Sequence, residues 1–135
     1  MTAKFVLAYL FYCYGSFQLP EKPISVIDFV KIMNNHKAEA IYFYTNNWVV
    51  YREVALNKNQ ILSYQILQTR PDSSLDFDLI LTTVYKDSAQ FKESEINFAS
   101  IIKVERPNGP KLLNALKPGD FRQIVTTKVA ERLND

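Results

Sequence analysis

The sequence predicts an α+β fold: strand, helix, strand, strand, helix, strand, folding into a four-stranded antiparallel sheet with both helices on one face, a split βαβ (βαββαβ) arrangement. Three observations carry that prediction. First, Ile41, Tyr44, Trp48, Tyr51 and Ala55 recur at spacings of three and four, the stripe of an amphipathic helix, until Asn57-Lys58-Asn59 breaks it. Second, the period then drops to two, with Leu62, Tyr64 and Ile66 alternating with Ser63 and Gln65. Third, beyond a polar turn at Pro71-Asp72-Ser73-Ser74, Phe77, Leu79, Leu81, Thr83 and Tyr85 alternate with Asp78, Ile80, Thr82, Val84 and Lys86. Both sides of that run are apolar or β-branched, so this strand is expected to be covered on both faces.

The remaining elements follow in order. Ser25 to Ile32 alternates Ile27, Phe29 and Lys31 with Val26, Asp28, Val30 and Ile32, a first strand. Asn34 or Asn35 is positioned to cap the first helix, which begins near Lys37 and runs to about Asn57. Asp87, with Gln90 three residues on, has the spacing of a capping box and opens the second helix. Its apolar side is Phe91, Phe98, Ile101 and Ile102, with Ala89 and Val104 at the ends. Pro107, Gly109 and Pro110 stop it. One helical turn is expected to carry Leu112, Leu113 and Leu116 onto the core, before Phe121 to Thr127 forms the last strand and residues 128–135 a polar tail.

Composition narrows the function. At 47% hydrophobic and 13% aromatic residues the chain can bury a core, which excludes a disordered protein. A formal charge of only +2 without a Lys/Arg run excludes a nucleic-acid or anionic-membrane surface. Residues 1–15 have the layout of an export signal: Lys4, an apolar run from Phe5 to Tyr14, then Gly15 and Ser16. The mature protein is expected in the periplasm or outside the cell. A lipid anchor on Cys13 is disfavoured by the bulky Tyr12, and with Cys13 removed no disulfide remains.

The residues Asn47-Trp48, Arg52-Glu53, Ala55-Leu56, then Ile61 to Leu67, then Phe77 to Leu81 with Thr83, Tyr85, Lys86 and Asp87, resemble the dimeric α+β barrel superfamily, which is ferredoxin-like, and within it exported bacterial members of unknown function. The resemblance spans residues 25–127 and implies a barrel formed by two sheets. The superfamily includes cofactor-free monooxygenases, haem-degrading oxygenases and lactone isomerases. The haem-degrading pattern needs Asn on the first strand, Trp on the sheet and His on the second helix. This chain has Asp28 on that strand, its single Trp on the first helix and no His on the second, so haem degradation is rejected.

Individual residues give candidates rather than a reaction. His36, the sole histidine, reads as a solvated helix-start residue, and no metal-ligand pattern surrounds it. Trp48 flanked by Tyr44 and Tyr51 reads first as core, and alternatively as the floor of an apolar pocket. Arg52 reads first as the partner of a carboxylate such as Asp78, and alternatively as the holder of an anionic ligand. Asp28 and Asp78 are acids in otherwise apolar strands, solubilising at a strand end or a general base if turned inward. No nucleophile elbow, phosphate loop or paired-acid motif is present.

The expectation is therefore a small-molecule binding protein with a helix–sheet pocket among Asp28, Tyr44, Trp48, Arg52, Tyr64 and Asp78, using no cofactor and no metal. The alternatives are a cofactor-free monooxygenase or isomerase at the same pocket, and a structural domain whose pocket is filled by its own side chains. A cavity of about 300 Å³ or more with a polar group inside would favour the first two. The sheet face left bare by the helices is expected to be covered by a second copy, giving a two-fold dimer.

Overall fold

The computed structural model describes residues 19–71 and 76–134; the expected signal segment with Cys13, and the turn at 72–74, lie outside the described residues. The sheet is antiparallel and built from β1 (Ile24–Ile32), β2 (Ser63–Gln68), β3 (Leu79–Tyr85) and β4 (Arg122–Glu131) in the order β2-β3-β1-β4. This is the predicted α+β arrangement. Among the described residues no helix is long and apolar enough to cross a membrane.

The alternation along each strand decides what faces the helices. Val30, Leu79, Leu81, Thr83 and Tyr85 are buried on the helix side, with Tyr64 and Ile66 packed beside them from β2. Leu79 and Leu81 therefore share the core face. Phe77 does not join them: it lies before β3 begins and its ring meets Phe29, 4.8 Å away, on the opposite side. That opposite face carries Ile27, Phe29, Ile80 and Val84, all partly exposed, interleaved with Ser25, Thr82 and Gln65.

The first helical stretch is one rod in three parts: α1 (Lys37–Phe43), a π-helical segment (Tyr44–Trp48) and α2 (Val49–Asn57). The sequence stripe gave no sign of the wider middle turn. Its cause is local: the side-chain amides of Asn46 and Asn47 donate to the carbonyls of Tyr42 (3.0 Å) and Phe43 (2.8 Å), four residues back. Those carbonyls would otherwise serve the α-helical ladder alone, and the competition opens it by one residue. The cap also differs from expectation. Asn34 and Asn35 take left-handed φ values of 53° and 59° to make the turn, and His36 occupies the cap position without a side-chain bond.

The second helical stretch starts as predicted, with Asp87 Oδ1 accepting from the Gln90 amide at 2.8 Å. The reciprocal bond lands one residue early: Gln90 Oε1 accepts from the Lys86 N–H, and its Nε2 donates to the Asn59 carbonyl. The helix is interrupted at Glu93, giving α3 (Ser88–Lys92) and α4 (Ser94–Glu105). Ile101 is buried with Phe91 and Phe98 packed near it, but Ile102 and Val104 are exposed, contrary to the expected apolar side. The reason is that α4 packs against α2 through the face that carries Ile101, which leaves Ile102 and Val104 only partly covered or open.

Near the end of the chain the helical turn falls later than predicted. Leu112, Leu113 and Leu116 are in irregular backbone, and the turn is α5 (Pro118–Phe121), with Pro at its start and the Asp120 carboxylate accepting from the Lys117 N–H at 2.8 Å. This turn delivers Phe121 to the core instead of leaving it in a strand. The strand then runs on to Glu131, four residues past its expected end, because β1 supplies backbone partners as far as Ile24. A bulge at Val125, where Phe29 pairs with Thr126 but Val30 with Ile124, turns Arg122 and Ile124 toward the helix side.

Leu81 is 1% exposed at the middle of this core. Replacing it with Ala should lower unfolding free energy by about 2–5 kcal/mol, read from urea denaturation, whereas Thr82→Ala on the outer face should cost well under half as much.

Candidate functional site

A cavity of about 210 Å³ lies between the helical rod, α4 and the helix-facing side of β1, β3 and β4. Its walls are Phe43, Tyr44, Trp48, Tyr51, Leu81, Ile102 and Ile124, with Asp28, Asn47, Arg52 and Arg122 as the polar members. Ile102 and Ile124 are 41% and 45% exposed and form its rim. Of the six predicted site residues, four meet here: Asp28, Tyr44, Trp48 and Arg52.

Tyr64 and Asp78 do not. Tyr64 packs the far edge of Trp48, ring centroids 5.9 Å apart, and its hydroxyl donates to Glu53 Oε1 at 3.4 Å. Asp78 sits just before β3 and its Oδ2 accepts from the Ile32 N–H at 2.7 Å, a strand-end cap outside the cavity. The expected Arg52–Asp78 pair is therefore absent. His36, at the start of α1, is 3.6 Å from Glu39 and away from the cavity.

Arg52 is held instead by π-systems. Its guanidinium carbon is 4.3 Å from the Trp48 ring centroid and 4.1 Å from that of Phe98, and Nε donates to Thr83 Oγ1 at 3.2 Å. Burial pushes this arginine down to about 10, with Tyr85 and Asp28 pulling the other way, so it stays protonated at neutral pH. Arg122 lies over Phe43 at 5.1 Å, and its Nε is buried without a hydrogen-bond partner. The Tyr44 hydroxyl is also buried and unpartnered; burial pushes it up to about 12, against the opposing effect of Arg122. Asp28, on the helix side of β1, accepts from the Thr127 hydroxyl at 2.6 Å.

Asn47 and Arg122 were missed from the sequence. Asn47 had a signal, since positions 44, 47, 48 and 51 all fall on one helix face and a polar residue among three aromatics stands out. It is 1% exposed and fully engaged. Its Oδ1 accepts from the Lys111 N–H (2.8 Å) and Arg106 Nε (3.2 Å), and its Nδ2 donates to the carbonyls of Phe43 and Lys111, each at 2.8 Å. Asn47 thus fastens the 106–111 segment to the rod and has no capacity left for a ligand. Arg122 had none, because the turn at α5 and the bulge at Val125 set its direction.

Larger hollows of about 640 Å³ beside Leu19 and about 520 Å³ beside Gln68 have linings at least half charged or polar and hold none of the aromatic cluster. Among the described residues no group of three or more His, Cys, Asp or Glu could hold a metal ion.

With this geometry the chain is similar in fold to HapK of Hahella chejuensis, at a TM-score of 0.51 and 12% identity, over 83% of this chain and 94% of that one. It also aligns with a conserved protein of unknown function from Bacteroides thetaiotaomicron, considered a possible oxidoreductase, at 9% identity and TM-score 0.47, covering 83% of this chain and 99% of that one. A proposed monooxygenase of Shewanella loihica aligns at 21% identity and TM-score 0.44, over 74% of this chain and 99% of that one. No family model and no curated protein matches the sequence. The likeness to HapK supports an α+β barrel-like fold and nothing about activity.

The unpartnered Tyr44 hydroxyl makes a prediction with a definite sign. Its pKa is raised on folding from 10 to about 12, so the folded form keeps a proton that the unfolded form loses. Stability is then fully present below pH 10 and falls between pH 10 and 12, by roughly 2 kcal/mol from this group. Tyr51 and Tyr85 are also pushed up by burial and act in the same direction. Tyr44→Phe should leave stability at pH 7 unchanged or raise it, since a buried hydroxyl without a partner is removed, and should flatten part of the alkaline loss in denaturation curves at a series of pH values.

Proposed function

We propose that this protein binds a small apolar or aromatic molecule in the helix–sheet cavity. The observation that carries the reading is an aromatic-walled space containing two arginines and a tyrosine whose polar atoms are not all satisfied by the protein itself. At about 210 Å³ the cavity falls short of the roughly 300 Å³ set above as favouring a ligand, so the reading rests on its polar atoms and not on its volume, and it fits a ligand of one-ring size only. The enzymatic alternative, a cofactor-free monooxygenase or isomerase, has one supporting observation: Asp28 lines the same cavity, where a carboxylate could take a proton from a bound ligand.

Native mass spectrometry of protein purified from its own host should show a bound species of low mass, lost on denaturation. Protein that is ligand-free from its host and unmoved by any one-ring compound would count against the reading. The same spectra report export, which we propose on the strength of residues 1–15: the mature chain should begin near Ser16 or Phe17. An intact Met1 in the mature protein would refute it.

Homodimerisation through the outer sheet face is the second part of the proposal. Ile27, Phe29, Ile80 and Val84 form an apolar centre there that the helices do not reach. Ile80→Lys or Val84→Lys should give folded monomers in sedimentation velocity, while Leu81→Lys, in the core, should unfold the chain. A wild-type protein that sediments as a stable monomer at micromolar concentration would defeat this part.

A further inference from the structure

The charges lining the cavity do not balance. Arg52 and Arg122 are opposed by Asp28 alone, a formal excess of one positive charge. Among the described residues neither arginine has a carboxylate within 4.0 Å, since the one pair at that distance is His36 with Glu39. Asp28 is engaged at Oδ1 by Thr127 on the edge strand. A half-buried cation without a counter-ion carries a standing desolvation cost that stacking only partly offsets.

The geometry also fixes how a counter-ion could approach. Trp48 and Phe98 lie against the Arg52 guanidinium and its Nε is taken by Thr83, and among the described residues no hydrogen bond engages its two terminal nitrogens. In-plane approach to a pair of N–H donors is the geometry of a bidentate carboxylate. Two further donors on residues that line the cavity, Arg122 Nε and the Tyr44 hydroxyl, are buried and lack partners among the described residues, so the polar groups of this wall are not satisfied by the protein alone. An apolar cavity of about 150 Å³ accepts benzene, so about 210 Å³ leaves room for one ring and one carboxylate.

We propose that the ligand is a one-ring aromatic carboxylate, its ring against Tyr44 and Trp48 and its anionic group at the guanidinium groups of Arg52 and Arg122. This rests on the small-molecule reading above and adds the charge and shape of the ligand. The carboxylate supplies the missing negative charge beside Arg52 and Arg122.

Trp48 is the only tryptophan and lines the cavity, so its fluorescence reports occupancy directly. The unmodified full chain is titrated at neutral pH and low salt with benzoate and with benzamide, which match in size and differ in charge. Benzoate should bind at least about ten-fold more tightly, and Arg122→Gln should weaken benzoate about ten-fold while changing benzamide by less than about two-fold. Should that variant fail to fold, the benzoate–benzamide ratio on the unmodified chain decides alone. Benzamide binding as tightly as benzoate overturns the carboxylate assignment and leaves the small-molecule reading intact. No response of Trp48 to either compound at millimolar concentration overturns both.

Discussion

The Trp48–Arg52–Phe98 stack is the contact on which the helical layer depends. Arg52 belongs to α2, Phe98 to α4, and the hydrogen bond from Arg52 Nε goes down to Thr83 on β3, so one side chain ties both helical stretches to the sheet. Each cation–π contact contributes about 0.5–2 kcal/mol depending on how far it is desolvated. Burying an arginine costs several kcal/mol. The stack therefore positions the charge without neutralising it, and the lowered proton affinity of Arg52 is the trace of that imbalance. A packing device and an unmet electrostatic demand are the same residue.

That demand has a place to be met because the helical layer covers three strands of a four-strand sheet. α2 and α4 pack over β3 and its neighbours, while β4 lies beyond α4 with Ile124, Thr127 and Val129 exposed on its helix side. The cavity forms at that step, walled by the rod on one side and by the first residues of β4 on the other. The bulge at Val125 matters for chemistry as well as for register. Were Val125 paired in a regular ladder instead of bulged, Arg122 would project to the outer face, and the cavity would keep one arginine and one aspartate.

Much of this was legible in the sequence, for identifiable reasons. Strand and helix order followed from periodicity, because half-buried strands and amphipathic helices write their period into residue choice. Asp28, Tyr44, Trp48 and Arg52 line one cavity; Tyr44 and Trp48 belong to the helix stripe, and Asp28 and Arg52 stand out as charges beside apolar neighbours. Tyr64 and Asp78 were misplaced by the same logic: Asp78 is unusual because it caps the Ile32 N–H, a backbone requirement with no mark in side-chain periodicity. Arg122 stayed hidden because two irregularities, the α5 turn and the bulge, set its direction, and neither has a repeat to read. The faces of Leu79 and Leu81 needed only the rule that residues two apart point the same way.

The rod shows how a local competition sets the geometry of a distant segment. Asn46 and Asn47 each bond a carbonyl four residues back, which opens the π turn and lets Tyr44, Asn47 and Trp48 all be buried within five residues. The Asn47 amide then has an oxygen and a second N–H left over, and both are used on the 106–111 segment, where Arg106 also donates to the Asn46 carbonyl. An alanine at 47 would strand the Lys111 N–H and Arg106 Nε, so the loss would exceed that of one hydrogen bond. The helix widening, the anchoring of the segment and the burial of two aromatic cavity walls thus have one cause. The cavity is shaped by asparagines that never need to touch what it holds.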